Sequence, residues 1–278
     1  MMATISAQDV NKLRQMTGAG MMDCKKALTE ANGDFEAAID ILRKKGQKVS
    51  ASRSDRQTSE GAVFVKVNDA GTTATLVALG CETDFVAKNE EFQKLGNTVL
   101  DAAVKNGMDT AGELLALHVD GRPVSEHLTD LMGKIGEKIE IVAFEKLEGE
   151  KVVPYVHSNG KLGVLLALKN TGNTDVTEVG KDVAMQIAAM RPVAVDKDGV
   201  DAATIEREIE IGKEQARADG KPEAMLEKIA MGKLNKFYKD STLLNQEFVK
   251  DNSKTVAQVL DSAHKGLTVS NFKRIQIG

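Results

Sequence analysis

The sequence contains no tryptophan and two tyrosines, and aromatic residues make up 4% of its 278 positions. Aromatic platforms for stacking bases or sugars are not expected, and the core has to come from Val, Ile, Leu, Ala and Met. Cysteine is scarce as well. Cys24 and Cys81 stand without any Cys or His at metal-ligand spacing, so both are expected to be reduced, partly buried thiols. No stretch approaches the roughly 18 uninterrupted apolar residues of a membrane span. The opening "MMATISAQDVNKLRQ" has neither the basic-then-apolar order of a secretory signal nor an Arg-rich, acid-free character. A cytoplasmic protein with no membrane partner is expected. A strong excess of one charge is also missing: 37 basic residues against 41 acidic ones give a formal net charge of -4, which offers nucleic acid no general attraction.

What the chain does contain divides it by period. Ser6 and Asp9 have the spacing of a capping box, Ile5 and Val10 that of a hydrophobic staple, and Val10, Leu13 and Met16 recur along one helical face. "TGAG" at 17–20 stops this helix, and "MMDCKKALTEANG" restarts one that ends at Asn32-Gly33. A third helix carries Phe35, Ala38, Ile39 and Leu42 on one side and ends at Gly46. Residues 1–46 thus read as a small three-helix module. The Ser-rich, aperiodic "QKVSASRSDRQTSE" at 47–60 reads as a flexible linker.

Beyond residue 60 the period turns from helical to alternating. "GAVFVKV" and "TTATLVALG" flank the turn "NDAG" and precede a helix with Phe92, Leu95, Val99 and Ala103 on its apolar side. A second helical stretch reaches Ile135, and a strand covers 137–147. The arrangement then recurs: "KVVPYVH" and "KLGVLLALK" form a hairpin, followed by a helix with Val179, Val183, Ile187 and Met190 inward. Two similar α+β subdomains, 61–140 and 141–278, are expected. Within the second, 202–240 is helical and dense in both charges, broken once at "DGKP", with Ile205, Ile209, Leu226, Ile229 and Phe237 as its apolar positions. This suits a projecting antiparallel helical hairpin, a form used more for a partner or homodimer contact than for a core. A short strand near "EFVK", a helix opened by Ser253 and an extended tail with Ile275 and Ile277 close the chain. The fold class is α+β.

A search for chemistry finds no constellation. "GAGMMD" is the nearest approach to a dinucleotide fingerprint, but it lies between helices and has Asp23 in place of the third glycine. There is no phosphate-loop pattern, and His118, His127, His157 and His264 lack partners at a spacing that defines a catalytic or metal site. Asp84 has no second carboxylate to work with. A binding protein is expected, with no cofactor, metal or catalytic residue. Met21 and Met22 follow a double-glycine turn, where flexible, polarizable side chains serve either an adaptable surface or a thin core. In "CETDFVAKNEEF" (81–92), Phe85 shares the helical phase of Phe92, which suits a core residue. A fresh N-cap at Asn89 would instead set Phe85 on a separate turn, free to point outward. Pattern alone leaves both pairs of alternatives open.

Taken together, "LRQMTGAGMMDCKKAL" (13–28) and "CETDFVAK" (81–88) resemble the two signature segments of the bacterial elongation factor Ts family, the guanine nucleotide exchange factors for elongation factor Tu. The layout from Ile5 to Ile277 is similar to that family's. The resemblance implies an N-terminal module related to ubiquitin-associated domains, a core of two α+β subdomains and an inserted coiled-coil arm. Carried over by motif, Arg14, Met21, Met22 and Lys25 would hold a helix of the partner's GTPase domain. Thr83, Asp84, Phe85 and Val86 would form the magnesium-displacing region, with Asp84 and Phe85 entering beside the partner's phosphates. Ile135 and Gly136, in "KIGE", would support that contact, and His157, in "YVHSNGKLGV", would face the partner's far domain. Where the family usually has a Glu and an Asn before the cysteine, this chain has Ala78 and Gly80. The implied activity is non-catalytic release of GDP from elongation factor Tu, with Phe85 an exposed wedge and Phe92 buried. An adaptor that holds helical or ubiquitin-like partners without exchange is the alternative, distinguished by binding that ignores nucleotide.

Overall fold

The computed structural model describes residues 5–278, so residues 1–4 of the expected module lie outside it. Three helices come first: α1 (Ala7–Thr17), α2 (Met21–Glu30) and α3 (Phe35–Ser52). Ser6 and Asp9 form a reciprocal capping box on α1, and Asp34 caps α3 by accepting from the Ala37 N–H. Val10, Leu13, Cys24, Ala27, Leu28 and Ala38 make a small core of their own, with Ile5, Phe35, Ile39 and Leu42 around it. Met16, expected on this face, is exposed; Thr17, one position on, turns inward to Cys24 instead. Nor does α3 stop at Gly46. It runs on to Ser52 because this glycine is a packing contact rather than a terminator: Gly46 lies so close to Gly133 that a Cβ on Gly133 would stand 2.7 Å from the Gly46 Cα. The first part of the expected linker is therefore helix.

The chain continues through β1 (Glu60–Val67), β2 (Thr73–Cys81), the single turn α4 (Asp84–Ala87), α5 (Glu90–Asn106) and α6 (Ala111–Ala116). Two short strands, β3 (His118–Val119) and β4 (Arg122–Pro123), lead into α7 (Val124–Ile135) and β5 (Ile139–Glu148). Then come β6 (Lys151–Val156), β7 (Leu162–Lys169), α8 (Thr177–Met190), α9 (Ala202–Ala218) and α10 (Glu223–Ser241). The last elements are β8 (Glu247–Phe248), β9 (Asp251–Thr255), α11 (Val256–Ala263) and β10 (Thr268–Gln276). The main sheets are antiparallel, in the orders β1-β2-β5 and β10-β7-β6. Each is a hairpin whose second strand takes a later strand on its free edge. The boundary expected at 140/141 falls inside β5, which pairs with β2 from Ile139 to Glu148. Alternation marks a strand but not its partner. Ser253 lies in β9, and α11 is capped instead by the box of Thr255 and Gln258. Met190, expected inward, is exposed where α8 ends.

The two sheets face each other, which accounts for the unbroken apolar runs of the central strands, since successive side chains point to opposite faces. In β2, Val77, Leu79 and Cys81 pack with residues of α5 and α7, while Ala74, Leu76 and Ala78 meet the second sheet. In β7, Val164, Leu166 and Leu168 pack with α8 and α11, while Leu165 and Ala167 meet the first sheet. Layers therefore run helix, sheet, sheet, helix, an α+β fold with its central strands covered on both faces.

Helices α9 and α10 run antiparallel, with Lys213 paired to Glu227 and Arg217 to Glu223. Their buried seam is Gly212, Ala216, Leu226, Ala230 and Leu234. Ile205, Ile209, Ile229 and Phe237, picked out by size, are only half-buried. Close approach selects small residues here: a Cβ on Gly212 would stand 3.0 Å from the Ala230 Cα. Among the described residues no helix is long and apolar enough to cross a membrane.

Candidate functional site

At the end of β2 the chain passes from strand to helix within a few residues. Thr83, extended at φ -128° and ψ 155°, caps α4, its Oγ1 accepting from the Val86 N–H at 3.4 Å. Val86 and Ala87 are buried in the first core. Asn89 then opens a new helix, accepting from the N–H groups of Glu91 and Phe92, and the Gln93 amide donates to the Ala87 carbonyl at 2.7 Å. The helical phase that Phe85 shares with Phe92 is thus broken at Asn89: Phe92 is 0% exposed and Phe85 83%. Leaving a phenylalanine in water forgoes about 1.5 to 3 kcal/mol of burial, so packing of this chain does not explain its placement. Beside it, Asp84 pairs with Lys88 at 2.8 Å. The hydrogen bond from Lys88 lowers the Asp84 carboxyl, and Asp84 in turn raises the Lys88 ammonium.

Two glutamates fix this turn. Glu137 accepts from the Thr83 N–H at 3.0 Å and from the Thr83 hydroxyl at 2.8 Å. It reaches Thr83 because Gly136, left-handed at φ 80° with its N–H on the Met132 carbonyl, turns the chain out of α7, whose last residue, Ile135, packs into the first core. Glu82 answers in the opposite direction. Its Oε1 accepts from the Lys138 N–H at 2.7 Å and from Arg53 at 2.9 Å, and its Oε2 from Arg56 at 2.9 Å. Burial opposes the charge of Glu82, but the Lys138 N–H and the Arg56 and Arg53 guanidiniums outweigh it and bring the carboxyl from 4.5 down to about 2. Residues 82–83 and 137–138 therefore bracket each other. Glu82, Glu137, Arg53 and Arg56 do not stand out in the sequence. Lone charges in a strand end or a Ser-rich stretch carry no periodic signal.

The folded-state lowering of Glu82 fixes a pH window. Its contribution to stability is complete above about 4.5 and is lost as the pH falls through about 2. Glu82→Gln is expected to lower stability at neutral pH by about 1 to 3 kcal/mol. It should also flatten the decline across that acidic window, as read from urea unfolding at a series of pH values. A decline as steep as the parent's would remove Glu82 from the bracket.

Cys81 donates to the Thr83 carbonyl at 3.2 Å. Burial, aided by the Glu137 charge, pushes its thiol up to about 12, so at neutral pH it is neither a nucleophile nor a ready ligand. Gly80 leaves a path: a Cβ there would lie 2.7 Å from the Thr58 Oγ1, where the segment from the module crosses β2. Ala78 is fully buried between the sheets.

On the module, Arg14, Met21, Met22 and Lys25 are all exposed, Met21 by 55% and Met22 by 63%. The core alternative for the two methionines fails, because α2 turns Cys24, Ala27 and Leu28 inward. The glycine turn before them lies against the first subdomain. A side chain on Gly18 would collide with the Lys134 ammonium, and Lys134 pairs with Glu91 of α5 at 3.2 Å. The turn of one signature thus adjoins the helix that follows the other. His157 stands apart on the β6–β7 turn, exposed, with its Nδ1 2.8 Å from the Tyr155 hydroxyl.

Among the described residues, no group of His, Cys, Asp and Glu is arranged to hold a metal ion. The arrangement suits display of a ring from a braced turn. Comparison with known proteins agrees with the motifs. The family model described as Elongation factor TS matches residues 82–278. The elongation factor Ts of Cytophaga hutchinsonii is 66% identical over 277 residues, covering 99% of this chain and 100% of the relative. That of Amoebophilus asiaticus is 56% identical over 99% of each chain, and that of Flavobacterium psychrophilum 50% identical over 100% of each. This chain belongs to the elongation factor Ts family of translation elongation factors.

Proposed function

We propose that the protein is a non-catalytic guanine nucleotide exchange factor, binding elongation factor Tu in its GDP-bound and nucleotide-free states and promoting GDP release in the cytoplasm. The observation that carries this reading is an exposed Phe85 above a buried Phe92, on a turn held by Glu82 and Glu137. Asp84 and Phe85, flanked by Thr83 and Val86, enter beside the partner's magnesium and phosphates, with Ile135 and Gly136 setting Glu137 behind them. Arg14, Met21, Met22 and Lys25 offer the outer face of a ubiquitin-associated-like module to a partner helix. His157 reaches the partner's far domain. The pair α9–α10 acts as a coiled-coil arm, and its exposed Ile211, Met225 and Met231 fit a partner contact or a homodimer. No direct nucleic-acid contact is involved.

Exchange requires tighter binding to the nucleotide-free partner, and nucleotide then weakens that binding to the same degree. Turning a population from about 1:99 to 99:1 takes about 5.5 kcal/mol of differential binding, while one buried phenylalanine supplies about 1.5 to 3 kcal/mol. The remainder comes from disturbing the magnesium, whose departure removes a large local charge from the phosphate site.

The test is release of fluorescent GDP from elongation factor Tu with and without the protein. Acceleration is expected, and binding without acceleration would leave an adaptor. In the same assay Met21→Ala/Met22→Ala should raise the half-saturating concentration about tenfold, with unfolding unchanged because both side chains are exposed. A parental half-saturating concentration would move the module's contact elsewhere.

A further inference from the structure

Residues 53–58 connect the module to the first subdomain and make more ties than a connection requires. Arg53 and Arg56 both donate to Glu82, the Lys138 ammonium donates to the Arg56 carbonyl at 3.0 Å, and the Thr58 hydroxyl donates to Glu140 at 2.7 Å. The segment lies in the gap that Gly80 leaves over β2. Upstream, α3 rests on α7 at the Gly46–Gly133 contact, and α7 ends in the turn that presents Glu137. Helix α3 and the segment that follows it thus grip the subdomain at two places, one leading to Glu137 and the other to Glu82.

We infer that Arg53 and Arg56 are positioning residues: through Glu82 they set the angle at which the Phe85 turn leaves β2, and so couple the display of Phe85 to the docked position of the N-terminal module. The effect on exchange rests on the reading of Phe85 given above; the effect on the turn does not. Glu82 would remain bonded to the Lys138 N–H without the two arginines, so what they add is direction. Arg53 is 24% exposed and Arg56 54%, so water screens the Arg56 pair more.

The test compares the full chain with Arg53→Ala/Arg56→Ala and with Arg53→Lys/Arg56→Lys, first by amide hydrogen exchange. In the alanine variant, amides of 83–88 should exchange at least about fivefold faster while those of the distant β7 keep their protection. The lysine variant should recover most of the difference. Unchanged exchange at 83–88, or faster exchange everywhere, overturns the inference. GDP release from elongation factor Tu then reads the consequence. The alanine variant should lose about five- to tenfold in rate at saturation, with little change in half-saturating concentration. A loss confined to the half-saturating concentration would also overturn the coupling. If the parent protein itself fails to accelerate release, the exchange reading falls, while the amide result still decides whether the arginines position the turn.

Discussion

Phe85→Ala is expected to keep the fold and to slow GDP release from elongation factor Tu by at least about tenfold at saturating factor, since burial of one phenylalanine in the partner is worth about 1.5 to 3 kcal/mol. At about 1.4 kcal/mol per decade this amounts to roughly 10- to 150-fold. The fold is safe because Phe85 is 83% exposed and the groups that shape its turn, Thr83, Val86, Ala87 and Asn89, stay in place. Its stability should change by less than about 0.5 kcal/mol. Phe92 is the internal control. It is fully buried, and the same truncation there creates a cavity costing about 3 to 5 kcal/mol. A Phe85→Ala protein that releases GDP at the parental rate would end the wedge assignment, whereas one that unfolds would return Phe85 to the core.

The alternatives for Phe85 turned on a local signal. Asn89 caps α5 through the Glu91 and Phe92 N–H groups, and a capping residue resets helical phase. An i, i+7 relation across such a cap says nothing about a shared face. The capping box at Ser6 and the two hairpins are likewise legible, being set by neighbours in sequence, whereas the burial of β2 and β7 on both faces is not, since it comes from the second sheet and the helices packed on either side. Gly46 is ambiguous in the sequence because an absent Cβ serves a helix stop and a close helix crossing equally well, and only the position of Gly133 tells them apart. The boundary at 140/141 failed for a similar reason: the partner of β5 is β2, and pairing is not written in either strand alone. The seam of α9 and α10 is not legible by size, because Gly212, Ala216 and Ala230 rather than large residues let the helices meet. The site's braces were the least legible part. Glu82 finds Arg56 at a separation of 26 positions and Lys138 at 56, so only the folded chain brings them together.

The Gly46–Gly133 contact sets the second large expectation. Gly133→Val is expected to lift α3 from α7. A Cβ at residue 133 would stand 2.7 Å from the Gly46 Cα, a backbone atom that cannot swing aside. Helix α7 is held on its other side by Leu128, Leu131 and Met132 in the first core, so α3 has to yield. The module should survive this, since Val10, Leu13, Cys24, Leu28 and Ala38 pack only among module residues. It then becomes a tethered body instead of a docked one. Trypsin should cut within residues 48–56 under conditions where the parent resists, and binding to elongation factor Tu should weaken about tenfold or more as fixed geometry gives way to the effective concentration of a flexible tether. Helix propensity works the other way, favouring Ala over Gly by about 0.8 to 1 kcal/mol. Any loss in a companion Gly133→Ala variant is therefore steric in origin. Deleting residues 1–50 would be a poorer test, because it bares the α7 surface and at the same time removes Arg14, Met21, Met22 and Lys25, the residues proposed to bind. A Gly133→Val protein with parental protease resistance would show that the helices accommodate the side chain, whereas one that is cut yet binds with parental affinity would show that the docked position of the module does not matter to binding.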